Sequence, residues 1–70
     1  MKHIAVTSSN LASIAYDSAS QTLEVAFKNG GLYSYAGVPA SVHQGLMSAP
    51  SHGSYFAAHI RNRYPTQKLR

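Results

Sequence analysis

The chain contains no cysteine, so neither disulfides nor thiolate metal sites hold it together, and a reducing interior is the expected setting. It has no run of about 18 apolar residues, so no segment is expected to span a membrane. Residues 1–6 give way to polar Thr7, Ser8, Ser9 and Asn10, too soon for a secretory signal, and cytoplasm is the expected location. Acids are scarce. Asp17 and Glu24 stand alone against six lysines and arginines, for a net charge of +4 with neutral histidines. Two carboxylates cannot pair off six cations, and Arg61, Arg63, Lys68 and Arg70 all fall at the C-terminal end. A basic surface of that kind attracts polyanions, nucleic acid foremost. The plainer reading is a solvated helix end followed by a frayed tail.

The shortage of carboxylates also bounds the chemistry. Hydrolytic catalysis needs a nucleophile, a base and a group that orients the base. Serines and histidines are plentiful, but Asp17 belongs to a turn and Glu24 to the outward side of a strand, so no catalytic residues and no enzyme activity are expected. His52 stands beside Ser51 and Ser54 because helix starts collect such residues for capping. His52 and His59 are seven apart, two helical turns from each other, whereas zinc ligands on a helix stand closer and recruit cysteine or carboxylate. No metal, cofactor or small-molecule substrate is expected.

What the chain does contain is enough apolar patterning for one domain of 70 residues, which buries roughly 60% of the surface its unfolded chain exposes. Residues 11–16 alternate, with Ala12, Ile14 and Tyr16 on one face. Asp17 opens a turn over residues 18–21. Residues 22–28 are the clearest strand, with Leu23, Val25 and Phe27 facing one way and Glu24 and Lys28 the other. A four-residue loop sets Tyr16 opposite Leu23 and Ile14 opposite Val25, keeping the large apolar residues together.

The next hairpin has two candidate registers. With Asn29-Gly30 as a two-residue loop, Phe27 opposes Leu32, and Tyr33 and Tyr35 point to the face of Glu24. With Lys28-Asn29-Gly30 as a type I turn and Gly30 in the left-handed region, Val25 opposes Tyr33 and Leu23 opposes Tyr35. The second builds one continuous apolar face over three strands and is the expected one. Tyr16, Phe27, Gly30, Tyr33, Tyr35, Phe56 and Ile60 are then structural residues.

Past Val38 the period changes. Pro39 is placed at the first helical position, with Val42, Leu46 and Met47 inward and Gly45 weakening the helix by about 1 kcal/mol relative to alanine. Ala49-Pro50 breaks it. Ser51 caps a second helix running to about Tyr64, with Phe56, Ile60 and Tyr64 as its stripe and Pro65 as its end. The expected fold is α+β: a three-stranded antiparallel meander (β-β-β-α-α) with two short C-terminal helices packed on one face. Residues 1–64 form the single domain and 65–70 a loose basic tail.

The order of motifs resembles the KTSC domain family, named for its occurrence at the C-terminus of some lysyl-tRNA synthetases. The resemblance is carried by Ser8-Ser9, Ile14-Ala15-Tyr16-Asp17, Leu23-Glu24-Val25-Ala26-Phe27, Asn29-Gly30, the central Tyr33-Ser34-Tyr35 and Val38-Pro39. It continues through Ala49-Pro50-Ser51-His52-Gly53-Ser54-Tyr55-Phe56 and Ile60-Arg61-Asn62-Arg63-Tyr64, so it covers about residues 6 to 64. Pro50 stands where the family more often has an acidic or polar residue, and Ala57 where it more often has a polar one. The resemblance implies a small domain that also occurs as a stand-alone bacterial or phage protein, with RNA as the ligand its synthetase connection points to.

Two partner classes follow. RNA, transfer RNA among it, is expected to meet a backbone-directed surface of Arg61, Arg63, Lys28, Lys68 and Arg70, because the tyrosines are expected under the helices and not as an open stacking platform. The alternative is a protein partner or a homodimer through the second sheet face (Ser13, Ala15, Ala26, Ser34 and Ala36, with Glu24 and Lys28) or through an edge strand. Residues 4–7 are a candidate for a short strand along that edge.

Overall fold

A computed structural model describes all 70 residues. Five strands, β1 (Ile4–Ala5), β2 (Leu11–Asp17), β3 (Thr22–Phe27), β4 (Leu32–Tyr35) and β5 (Thr66–Lys68), form one antiparallel sheet in chain order. Two helices, α1 (Ala40–Ser48) and α2 (His52–His59), lie between β4 and β5 in the sequence. The class is α+β, but the sheet has five strands where three were expected.

The two hairpins set the registers. Asp17 Oδ1 accepts the Ala19 N–H and Asp17 Oδ2 the Ser20 hydroxyl, closing a loop that places Ile14 opposite Val25 and Tyr16 opposite Leu23. At the second hairpin the Gly30 N–H bonds the Phe27 carbonyl and the Phe27 N–H bonds the Gly31 carbonyl. Gly30 sits at φ +97, a conformation open to glycine at little steric cost. This is the type I turn with a bulge. Val25 pairs with Tyr33 and Leu23 with Tyr35, as the continuous apolar face required.

One residue joins that face unexpectedly. The β2–β3 register shifts between Leu11 and Ser13, so Ala12 is a bulge and Leu11 turns inward beside Phe27. Leu11, Ile14, Leu23, Val25 and Tyr35 from the sheet meet Val38, Leu46, Phe56 and Ile60 in a single core. Pro39 is the N-cap of α1 and not its first helical residue; its carbonyl accepts from Val42 and His43. Ser51 caps α2 as expected, its hydroxyl accepting the Ser54 N–H at 3.2 Å.

The chain after α2 departs from expectation. The helix ends at His59, not near Tyr64, because the Ile60 and Arg61 N–H groups both turn onto the Phe56 carbonyl and Asn62 adopts φ +63. Asparagine tolerates that left-handed state better than most residues. The reversal feeds β5, so residues 66–68 are not a loose tail. Thr66 pairs with Tyr35, Gln67 with Ser34 and Lys68 with Tyr33, and the Leu32 N–H bonds the Arg70 carbonyl at 2.9 Å.

At the other edge β1 pairs with β2, Ile4 opposite Ile14. Just before it, His3 reaches over the sheet face that carries no helix. Its Nε2 donates to Glu24 Oε1 at 2.9 Å, and its Nδ1 lies 2.9 Å from the Ser13 hydroxyl. Ala15, paired with Glu24, is only 2% exposed. That face is therefore less bare than its small residues implied.

Candidate functional site

Hairpin register brings both tyrosines of β4 to the core side, but α2 covers only one. Tyr35 is 4% exposed and meets the Phe56 ring edge-on at 5.5 Å. Tyr33, two residues nearer the hairpin tip, is half-buried. Phe27 links the group, edge-on to Tyr33 at 5.6 Å and to Phe56 at 5.5 Å. These four rings form one wall of a pocket of about 420 Å³.

Polar side chains from four separate segments complete it. Asn10 comes from the loop before β2, Asn29 from the β3–β4 turn, Arg61 and Asn62 from the turn after α2, and Thr66 from β5. The Ser8 hydroxyl holds Asn10 in place by accepting the Asn10 and Leu11 N–H groups and donating to Asn10 Oδ1. A Cβ at Gly53 would stand 2.7 Å from Asn10 Oδ1, so the bare glycine on α2 is what lets this carboxamide approach. Asn29 Oδ1 accepts the Gly31 N–H at 3.0 Å. With both oxygens engaged inside the chain, the amide N–H₂ groups of Asn10 and Asn29 remain as donors.

Burial, with the Tyr33 phenol next in weight, pushes the Tyr35 hydroxyl up to about 12 against a smaller opposing pull from Arg61. Tyr35 is thus a neutral donor at ordinary pH. Its hydroxyl is reached from the pocket, since no buried side-chain oxygen or nitrogen in the chain lacks a partner and this one has none.

A second hollow of about 280 Å³ adjoins the first, lined by Asn29, Gly30, Gly31, Tyr33, Lys68 and Arg70. Tyr33 and Asn29 belong to both hollows. Lys68 faces the same side as Tyr33 because the two are paired across β4 and β5. Of the five cations expected to act together, Arg61, Lys68 and Arg70 gather here. Arg63 and Lys28 are exposed in neighbouring turns but line neither hollow. The asparagines and Thr66 gave no signal in the sequence, because single polar residues in four segments have no spacing to read.

Neither acid lies in this region. Glu24 is engaged with His3 on the opposite face and Asp17 caps its own turn. The remaining histidines are taken up locally. His43 stacks on Tyr16 at 4.6 Å, and burial lowers its pKa. His52 donates through Nδ1 to the Leu46 carbonyl at 2.7 Å, and His59 packs on Tyr55. No three histidine, aspartate or glutamate side chains come together.

Residues 7–64 match the sequence profile of the KTSC domain. The chain belongs to the KTSC domain family. It is 48% identical over 56 residues to an uncharacterized protein of Stutzerimonas stutzeri, covering 80% of this chain and 79% of that one. It is 39% identical over 54 residues to a lysine–tRNA ligase of Trichormus variabilis, covering 77% of this chain but 10% of the ligase. A crystal structure of a KTSC domain protein from Yersinia pestis superposes with a TM-score of 0.96 at 38% identity, covering 99% of this chain and 97% of that one. Within this KTSC domain the matched region holds the aromatic wall, the three asparagines and Arg61, while Thr66, Lys68 and Arg70 lie beyond it. No helix is long and apolar enough to cross a membrane.

Proposed function

We propose that this KTSC domain is a non-enzymatic RNA-binding module, acting in the cytoplasm, that engages transfer RNA through the surface around Tyr33. One observation carries the reading. Arg61, Lys68 and Arg70 arrive from a turn and an edge strand onto two adjoining hollows that share Tyr33 and Asn29, with both carboxylates engaged elsewhere. Cations without acidic partners beside an aromatic and amide lining match the chemistry of a nucleic-acid backbone and its bases. The similarity to a tenth of a lysine–tRNA ligase supports the same direction. Non-enzymatic action is favoured by the absence of any free carboxylate to orient a base.

A second reading, self-association, is favoured by the β1 edge, where Met1 and Ile4 are 55% and 53% exposed. One sedimentation titration with transfer RNA at two salt concentrations separates the two. The RNA reading expects a complex at low salt, a protein that sediments alone as a monomer, and an affinity reduced several-fold in Arg61→Ala and in Lys68→Ala/Arg70→Ala. No complex at low salt, or equal affinity in the variants, overturns it. A concentration-dependent dimer of the protein alone favours the second reading.

A further inference from the structure

The two hollows differ in character, and the difference points to what each one holds. The larger is walled by Phe27, Tyr33 and Phe56 and edged by carboxamides and a guanidinium. The smaller is lined by two glycines and two cations. A nucleotide has the same division, a flat apolar ring with a polar edge joined to a phosphate. We propose that the larger hollow receives a single unstacked base of a bound RNA strand, while the adjoining phosphate sits between Lys68 and Arg70. This rests on the RNA reading above and adds base recognition to a surface otherwise read as contacting the backbone.

Three features support the assignment. A volume of about 420 Å³ lies at the small end of ligand pockets, which span roughly 300–1,000 Å³, and has room for a base. Next, α2 presents Gly53 and Ala57 to this hollow. They are four residues apart and share one helix face: Gly53 admits the Asn10 carboxamide to the edge, and exposed Ala57 leaves space where a larger side chain would close the hollow. Last, the polar edge is rich in donors. The amide N–H₂ groups of Asn10 and Asn29, the Tyr35 hydroxyl and Arg61 converge with no carboxylate among them. That set suits the carbonyl oxygens of a base such as uracil, and the Thr66 oxygen in the same lining is an acceptor for the N3–H between them. Unstacked bases are what single-stranded RNA offers to aromatic and amide side chains.

The test compares a short oligouridine with an abasic ribose-phosphate strand of equal length, by fluorescence anisotropy at low salt, on the wild type and on Ala57→Trp. Ala57 is exposed, so the indole fills the hollow without entering the core. The wild type is expected to prefer the base-bearing strand by about tenfold or more, and Ala57→Trp to erase that preference while keeping its affinity for the abasic strand. As a check independent of the variant, uridine monophosphate is expected to shift the amide resonances of Asn10, Tyr33 and Asn62 in the wild-type spectrum. Equal affinity for the two strands, or a preference that survives Ala57→Trp, overturns the base pocket and leaves the cationic surface standing. Failure of both strands to bind overturns the RNA reading and the pocket with it.

Discussion

Tyr33 and Tyr35 share a strand, a face and a side-chain chemistry, and they end in different environments because Tyr35 packs on Phe56 of α2 while Tyr33 meets Phe27 and stays half-buried. Tyr35 lies under Phe56 and carries a hydroxyl pushed up to about 12, chiefly by burial. Folding therefore holds the Tyr35 proton more tightly than the unfolded chain does. The stability this contributes is complete below the ordinary tyrosine pKa of about 10 and is lost as pH rises toward the folded value. An absorbance titration of tyrosinate is expected to show a late step near pH 12 that disappears in Tyr35→Phe. Thermal stability of the wild type is expected to fall over the same interval by more than that of the variant. Curves that differ only in amplitude, with no late step lost, would remove burial as the cause.

Among the elements, β5 does the most with the least signal. Thr66, Gln67 and Lys68 are all exposed, so they show no alternation, and a strand with no apolar face is invisible to a periodicity argument. What holds it is backbone pairing along β4, extended by the Ala36 N–H to the Pro65 carbonyl and by Leu32 to Arg70. Ending the chain at Pro65 is expected to lower stability by on the order of 2 kcal/mol, since several solvent-side hydrogen bonds each contribute roughly 0.5–1.5 kcal/mol and water replaces part of them. For a domain of this size that corresponds to a drop in melting temperature of roughly 10 °C, read by circular dichroism; an unchanged melting temperature would mean that the pairing carries no weight. The contrast with β3 and β4 is physical. Leu23, Val25 and Phe27 alternate, and Lys28-Asn29-Gly30 admits few turn geometries, so their register was legible from the sequence alone. Leu11 was not, because a bulge at Ala12 leaves no trace in a run of neighbouring apolar residues. The end of α2 is hidden in the sequence for a related reason. Ile60 and Tyr64 keep the helical spacing even though Asn62 has already turned the chain.

At the scale of the whole molecule, the excess of cations was legible in the composition, but their grouping was not. Arg61 and Arg63 are neighbours in sequence and part company in the turn. Lys68 and Arg70 reach Tyr33 only because β5 closes onto β4. The same closure makes the surface's charge additive, with three cations on adjoining hollows and neither acid among them. If Lys68 and Arg70 share one phosphate of a single strand and Arg61, from the rim of the larger hollow, meets the next, the plot of log K against log salt should have a slope of about −1.4, since each phosphate neutralised contributes about −0.7. Lys68→Ala/Arg70→Ala should then reduce the slope to about −0.7, a change that a fold defect with intact contacts would not produce. A wild-type slope near zero would mean that charge does not drive the association. A steep slope left unchanged by the double variant would move the phosphate contacts away from β5, to Lys2, Lys28 or Arg63. Because the slope counts contacts and the affinity does not, the salt series locates the interface even when the variants bind only modestly more weakly.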